Sequence, residues 1–107
     1  MKRTKEDKIF KAIADSKRRD ILKMLVVASV ALNINFISSK FTESRQGITK
    51  HIKVLVDAGL VNIERKGRET FCYANPEGLK IIDEWLKMYR KFWQSKLDDL
   101  DDYLAST

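Results

Sequence analysis

Gln46, Thr49, Lys50 and Lys53 are the residues whose types and spacing promise chemistry. On a helical wheel Ile48, Ile52, Leu55 and Val56 gather into one apolar stripe, while Gln46, Lys50 and Lys53 fall on the opposite side, with Thr49 at its edge. An exposed amide, hydroxyl and pair of ammonium groups suit base edges and phosphates: Gln can pair an adenine edge, Lys a guanine edge or a phosphate, and Thr either. Any exposed helix of a basic chain carries similar residues, so this face is read with its surroundings. The second cluster is Arg65-Lys66-Gly67-Arg68, two arginines and a lysine at a Gly-bearing tip between two β-rich runs. Positive charge projected in this way can enter a minor groove or lie along phosphates.

Those residues need elements to position them. Ser44 caps a helix over residues 45–58 that stops at Gly59, and Asn33 caps a shorter helix over residues 34–41. Only Thr42, Glu43 and Ser44 lie between the two, which is the spacing of a helix-turn-helix. Upstream, Ile9, Phe10, Ile13 and Ala14 mark a first helix, and Ile21, Leu22 and Leu25 a second, capped by Asp15 or Ser16. Beyond Gly59 the period becomes alternating, through Leu60, Val61 and Ile63 and then Thr70, Phe71 and Tyr73, so residues 60–75 form a hairpin with a basic tip. After Asn75-Pro76 a helix over about residues 77–104 would be roughly 40 Å long. The expected fold is mainly α with a small β-hairpin, a winged helix-turn-helix in the order α-α-α-α-β-β-α, as a single domain over residues 1–107 with its helix-turn-helix at 33–58.

The last helix carries two adjacent apolar stripes. Ile82, Leu86, Tyr89 and Trp93 recur at steps of 4, 3 and 4, as do Ile81, Trp85, Met88 and Phe92, and Leu97, Leu100 and Leu104 continue the first. One stripe closes the subunit's own core; two offer more apolar surface than a small domain leaves exposed. A homodimer through this helix follows, with the N-terminal helix beside it: Ile9, Phe10, Ile82, Trp85, Tyr89, Phe92 and Trp93 are its expected contacts. A ligand pocket among Trp85, Tyr89 and Trp93 is the alternative use of the same aromatics.

Composition sets the limits. The 107 residues carry 21 Lys and Arg against 15 Asp and Glu, a formal charge of +6, which suits a negatively charged partner, nucleic acid before an anionic membrane. The excess lies early, +5 over residues 1–23 and +3 over residues 40–69, whereas residues 96–107 carry −3. One cysteine, Cys72, excludes an intramolecular disulfide, and with the one histidine, His51, it cannot build a structural zinc cage. A cytoplasmic protein is expected, since no apolar run approaches the roughly 20 residues of a membrane span and the start lacks a signal peptide's apolar core. No catalytic set at a workable spacing and no phosphate loop is found, so no enzyme, cofactor or metal site is expected.

Four features stand apart. Gly47 weakens its helix by about 1 kcal/mol relative to Ala, which a close backbone approach to DNA would explain. His51 flanks the core stripe, for packing or a phosphate contact. Cys72 alternates with Phe71 and Tyr73 as a small strand hydrophobe. Val26, Val27, Val30, Ile34 and Phe36 are more apolar than a surface turn needs, as extra core or a contact for another protein.

The run Ala12-Ile13-Ala14-Asp15-Ser16-Lys17-Arg18-Arg19-Asp20-Ile21-Leu22 resembles the opening signature of the arsenical-resistance-repressor (ArsR/SmtB) family, with Ser16 where the family has Pro. Residues 44–55, followed by Ala58-Gly59-Leu60-Val61, are similar to its recognition helix, and Trp85, Tyr89, Phe92 and Trp93 resemble the last helix of an aromatic-rich subgroup. The resemblance implies a homodimeric, sequence-specific repressor that binds double-stranded DNA at a pseudo-palindromic operator, with half-sites about 34 Å apart or a multiple of it. Gln46, Thr49 and Lys50 would read bases, Ser44, Arg45 and Lys53 would hold phosphates, and Lys66 and Arg68 would act from the wing. Residues 34–41 have no Cys and the last helix no His, the positions where metal-sensing members carry their ligands, so no metal sensing is expected. An inducer, small molecule or protein, is compatible with this reading. The competing one is a winged-helix protein-interaction module that has lost specific DNA binding.

Overall fold

In the computed structural model, which describes residues 4–106, every helix begins where a short polar side chain can take up free backbone amides. Thr4 and Asp7 form a reciprocal capping box on α1 (Lys5–Ile13). Asp15 starts α2 (Ser16–Ala28) by accepting from the amides of Lys17 at 2.8 Å and Arg18 at 3.2 Å. Asn33 caps α3 (Ile34–Ser39) and Ser44 caps α4 (Arg45–Asp57). Asn75, with Pro76 in the first turn, opens α5 (Pro76–Ala105). The end of α1 is closed by arginines from α2. Arg18 Nε donates to Ala12 O at 2.6 Å, and Arg19 Nη1 donates to the carbonyls of Ile13 and Ala14 at 2.8 and 3.0 Å.

The sheet has three antiparallel strands rather than the expected two. Leu32 and Asn33 form β1, which pairs with Cys72 and Phe71 on β3 (Glu69–Ala74), and β3 lies between it and β2 (Val61–Lys66). A two-residue strand is too short to show alternation, so it left no sequence signal. Residues 40 and 41, expected to be helical, form the turn after α3 instead. The hairpin turns at Gly67 and Arg68, where only Gly67 has positive φ (+63°); this is the pattern of a type II′ loop, which matches strand twist.

The core lies where α1, α2, α3, α4 and the base of the hairpin meet, and is built from Ile9, Ile21, Leu25, Ile37, Ile48, Ile52, Leu55, Leu60, Val61 and Cys72. No polar or charged residue among those described is buried. Ile9, expected at a dimer contact, is 1% exposed and belongs to this core, with no surface left for a second subunit. The apolar segment around residues 26–36 divides: Ile34 goes inside, while Val26, Val27, Val30 and Phe36 stay exposed. Among the residues of α5, Gly78 alone is buried, and the helix extends the molecule to 67 × 33 × 22 Å. No helix among the described residues is long and apolar enough to cross a membrane.

Candidate nucleic-acid interface

Ser44 holds the start of α4: its Oγ accepts from the Gly47 amide at 3.1 Å. Ile48, Ile52 and Leu55 then lock one side of the helix into the core. The same helical period turns Arg45, Gln46, Thr49, Lys50 and Lys53 to the exposed side. Thr49 is partly committed, because its hydroxyl donates to Arg45 O at 2.8 Å, which leaves its oxygen lone pairs unspent. Ser44 likewise spends one lone pair on the cap and keeps its hydroxyl proton.

The hairpin stands beside this face. A cleft of about 410 Å³ runs between α4 and the strands, lined by Arg45, Thr49, Lys53, Ile63 and Thr70 among others. Arg65, Lys66 and Arg68 are exposed beyond it. Lys66 Nζ lies 3.9 Å from Glu64 Oε1 and 5.9 Å from the Phe71 ring, so its ammonium group leans back along the hairpin, with Arg68 at the turn. A concave basic surface with two directions of approach, a helix and a two-stranded arm, fits a polyanion whose charged ridges flank a groove.

Residues outside the expected set aim the helix. Glu43 Oε2 lies 3.1 Å from His51 Nε2, two turns further along the chain. Gly47 sits between them: a Cβ there would be 3.4 Å from Glu43 Oε2 and 3.5 Å from Ser44 Oγ. The side of Gly47 that lacks a side chain therefore accommodates the Glu43 carboxylate. The spacing 43, 47, 51 was the available sequence signal for this contact. Asp15, at the start of α2, has its carboxyl held below the ordinary range, first by the Arg18 amide; desolvation, the next largest effect, opposes it, and the Lys17 amide and the nearby Arg18 guanidinium add smaller lowering effects.

The expected dimer residues fall into distinct environments. Phe10 packs its ring on Trp85 at 4.7 Å between centroids, and Trp85 contacts Tyr89 at 4.3 Å. Ile82 leans on the core. Phe92 and Trp93 form an edge-on pair further out, both mostly exposed, so Trp85 and Trp93 belong to separate aromatic groups. Cys72 is fully buried, and burial pushes its thiol up from the usual value. Among the described residues no group of three or more His, Cys, Asp or Glu is placed to hold a metal ion.

No family model matches the chain. It is 40% identical over 88 residues to the uncharacterized HTH-type transcriptional regulator YuzN of Bacillus subtilis strain 168, an alignment covering 77% of this chain and 96% of YuzN. The crystal structure of an ArsR family transcriptional regulator is similar with a TM-score of 0.75 and 26% identity, covering 89% of this chain and 98% of that one. A homodimeric winged helix-turn-helix DNA-binding domain from Mycobacterium bovis shares the fold at a TM-score of 0.65 and 18% identity, over 81% of this chain and 79% of that chain. The sequence match to YuzN, the helix-turn-helix with its adjoining hairpin and the likeness to the ArsR-family structure lead to one conclusion: the chain belongs to the ArsR-type winged helix-turn-helix transcriptional regulators.

Proposed function

We propose that the protein is a cytoplasmic homodimeric repressor that binds a pseudo-palindromic operator in double-stranded DNA. The observation that carries this reading is the exposed face of Gln46, Thr49, Lys50 and Lys53 on α4, of which Thr49 and Lys53 share a cleft with Ile63 and Thr70 on the strands of the basic hairpin. In this arrangement α4 enters the major groove, Gln46 and Lys50 reach base edges and Thr49 offers its methyl group and lone pairs. Ser44, Arg45 and Lys53 contact phosphates, while Lys66 and Arg68 follow the backbone or the minor groove from the wing. The homodimeric state of the Mycobacterium bovis domain that shares the fold supports a dimer, and the exposed Tyr89, Phe92 and Trp93 support pairing through α5, with Phe10, Ile82 and Trp85 at or beside the contact. α3 holds no Cys and α5 no His, which supports regulation without a metal.

The test is fluorescence anisotropy with duplex DNA from upstream of the protein's own gene and a scrambled duplex, at two salt concentrations and with a chelator present. Nanomolar, sequence-selective binding that survives the chelator is the expected result. Equal, weak binding to both duplexes would overturn it.

A further inference from the structure

The hairpin has two faces, and the cleft beside α4 uses only one of them. Alternation along β2 and β3 puts Ile63 and Thr70 on that face and Glu64 and Tyr73 on the other. Beside the second face a cavity of about 480 Å³ opens between the end of α2, the hairpin and the start of α5. Val26, Val30, Tyr73, Pro76 and Leu79 give it apolar walls, and Glu64 is the one charged residue that lines it. Val26 and Val30 are 43% and 61% exposed, so two of the valines that the core leaves outside become part of its wall.

The cavity is negative from two directions. The strand register sets Glu64 opposite Phe71 and Asn62 opposite Tyr73, which makes Glu64 and Tyr73 diagonal neighbours on one face, about 7–8 Å apart. A group of ammonium size between them can meet a carboxylate on one side and an aromatic ring on the other. From the second direction, α2 ends at this wall with Ser29 as its C-cap, and its last turn carries no basic residue to answer the negative end of the helix. Lys66 Nζ lies 3.9 Å from Glu64 Oε1, and both side chains are more than half exposed, a contact weak enough for another cation to replace.

We propose that this cavity binds a small organic cation, an ammonium group carried on an apolar or aromatic body. The ammonium sits between Glu64 and Tyr73, in place of Lys66, and the body lies against Val26, Val30, Pro76 and Leu79. A neutral molecule would gain only the apolar walls, and an anion would face the Glu64 carboxylate and the end of α2 with no charge to offset them.

The test titrates the full chain with naphthylmethylammonium, with its neutral counterpart naphthylmethanol and with naphthoate, following amide and methyl signals by NMR. The cation is expected to shift Val26, Val30 and Leu79 and to bind about fivefold or more tighter than the alcohol, with naphthoate the weakest. Glu64→Gln, an exposed change whose fold circular dichroism checks, is expected to remove that preference, so that cation and alcohol bind alike. Absence of any shift, equal binding of cation and alcohol to the wild type, or a preference that survives Glu64→Gln would overturn the proposal. Shifts confined to Met88, Tyr89 and Phe92 would place the cation on α5 instead and overturn it equally. Shifts of Val26 and Val30 with protein concentration alone would mean that a second copy covers this face, which also overturns it.

Discussion

Glu43 and His51 meet across the first two turns of α4, their Oε2 and Nε2 atoms 3.1 Å apart. The contact fastens the turn between α3 and α4 to the body of α4, so it sets how the helix leaves the turn. Both side chains are mostly screened, His51 at 20% and Glu43 at 32% exposure, which makes the contact worth more than a fully exposed pair. His51→Ala is expected to cost about 1 kcal/mol in urea unfolding and to lower operator affinity, although His51 need not touch DNA. A variant with wild-type stability and affinity would show that the pair has no part in aiming α4.

Gly47→Ala separates two explanations of a glycine in this helix. The new methyl would meet Glu43 and Ser44 at ordinary contact distance, and Gly47 does not have the positive φ that favours glycine. Stability should therefore rise by about 0.5–1 kcal/mol through helix propensity, with operator affinity changed less than twofold. Gained stability with a large loss of affinity would instead mean that DNA approaches the bare backbone.

The outer face of α4 should divide by role. Gln46→Ala is expected to cost about 1–3 kcal/mol at one base pair of each half-site and little on other sequences. Lys53→Ala and Arg68→Ala should weaken every duplex and lower the salt slope by about one unit each. Anisotropy over a set of single-base operator variants at several salt concentrations distinguishes them. An equal loss on all duplexes for Gln46→Ala would remove its base-reading role.

Asp15 links stability to pH with a definite sign. Its carboxyl is held below the ordinary 3.8 in the folded chain, so the stability it contributes is complete above the unfolded value and is lost as pH falls through the folded one. The melting temperature of Asp15→Ala should lie below wild type at neutral pH, with the gap narrowing below about pH 4. Asp15→Asn also removes the titration but keeps an acceptor for the α2 amides, so its gap should be smaller than that of Asp15→Ala and narrow over the same pH range. A gap for Asp15→Ala that stays constant down to pH 3 would contradict this.

Gly78 is a packing glycine. A Cβ at this position would overlap the backbone carbonyl of Gly59, which cannot swing aside as a side chain would. Gly78→Ala is expected to destabilise the protein by about 1–3 kcal/mol in thermal or urea unfolding. A neutral result would mean that the start of α5 is free to shift.

The apolar stripe of Ile48, Ile52 and Leu55, the caps at Asn33 and Ser44 and the long last helix were all legible in the sequence, because period and cap chemistry act within a few residues. What escaped acts across the fold. The strand at Leu32 and Asn33 exists because β3 offers it a partner, and Ile9 lost its expected surface role because α1 sinks that residue into the core. Lys17, Arg18 and Arg19 counted together toward a polyanion partner, yet Arg18 and Arg19 hold the last carbonyls of α1. Glu43 went unnoticed for the same reason: eight residues separate it from His51, and only the turn before α4 brings them together.

The close seating of Gly78 on Gly59 makes α5 a lever with its fulcrum at the end of the recognition helix. Asn75 completes the bearing: its Nδ2 donates to Gly59 O at 2.8 Å, and its backbone amide donates to Leu60 O at 2.9 Å. Thirty residues of helix give an arm of about 45 Å, so a tilt of about 5° at the bearing moves the far tip by about 4 Å. Read in reverse, a displacement of a few ångströms at the tip corresponds to only a small rotation at the bearing on Gly59, the residue that follows the C-cap of α4.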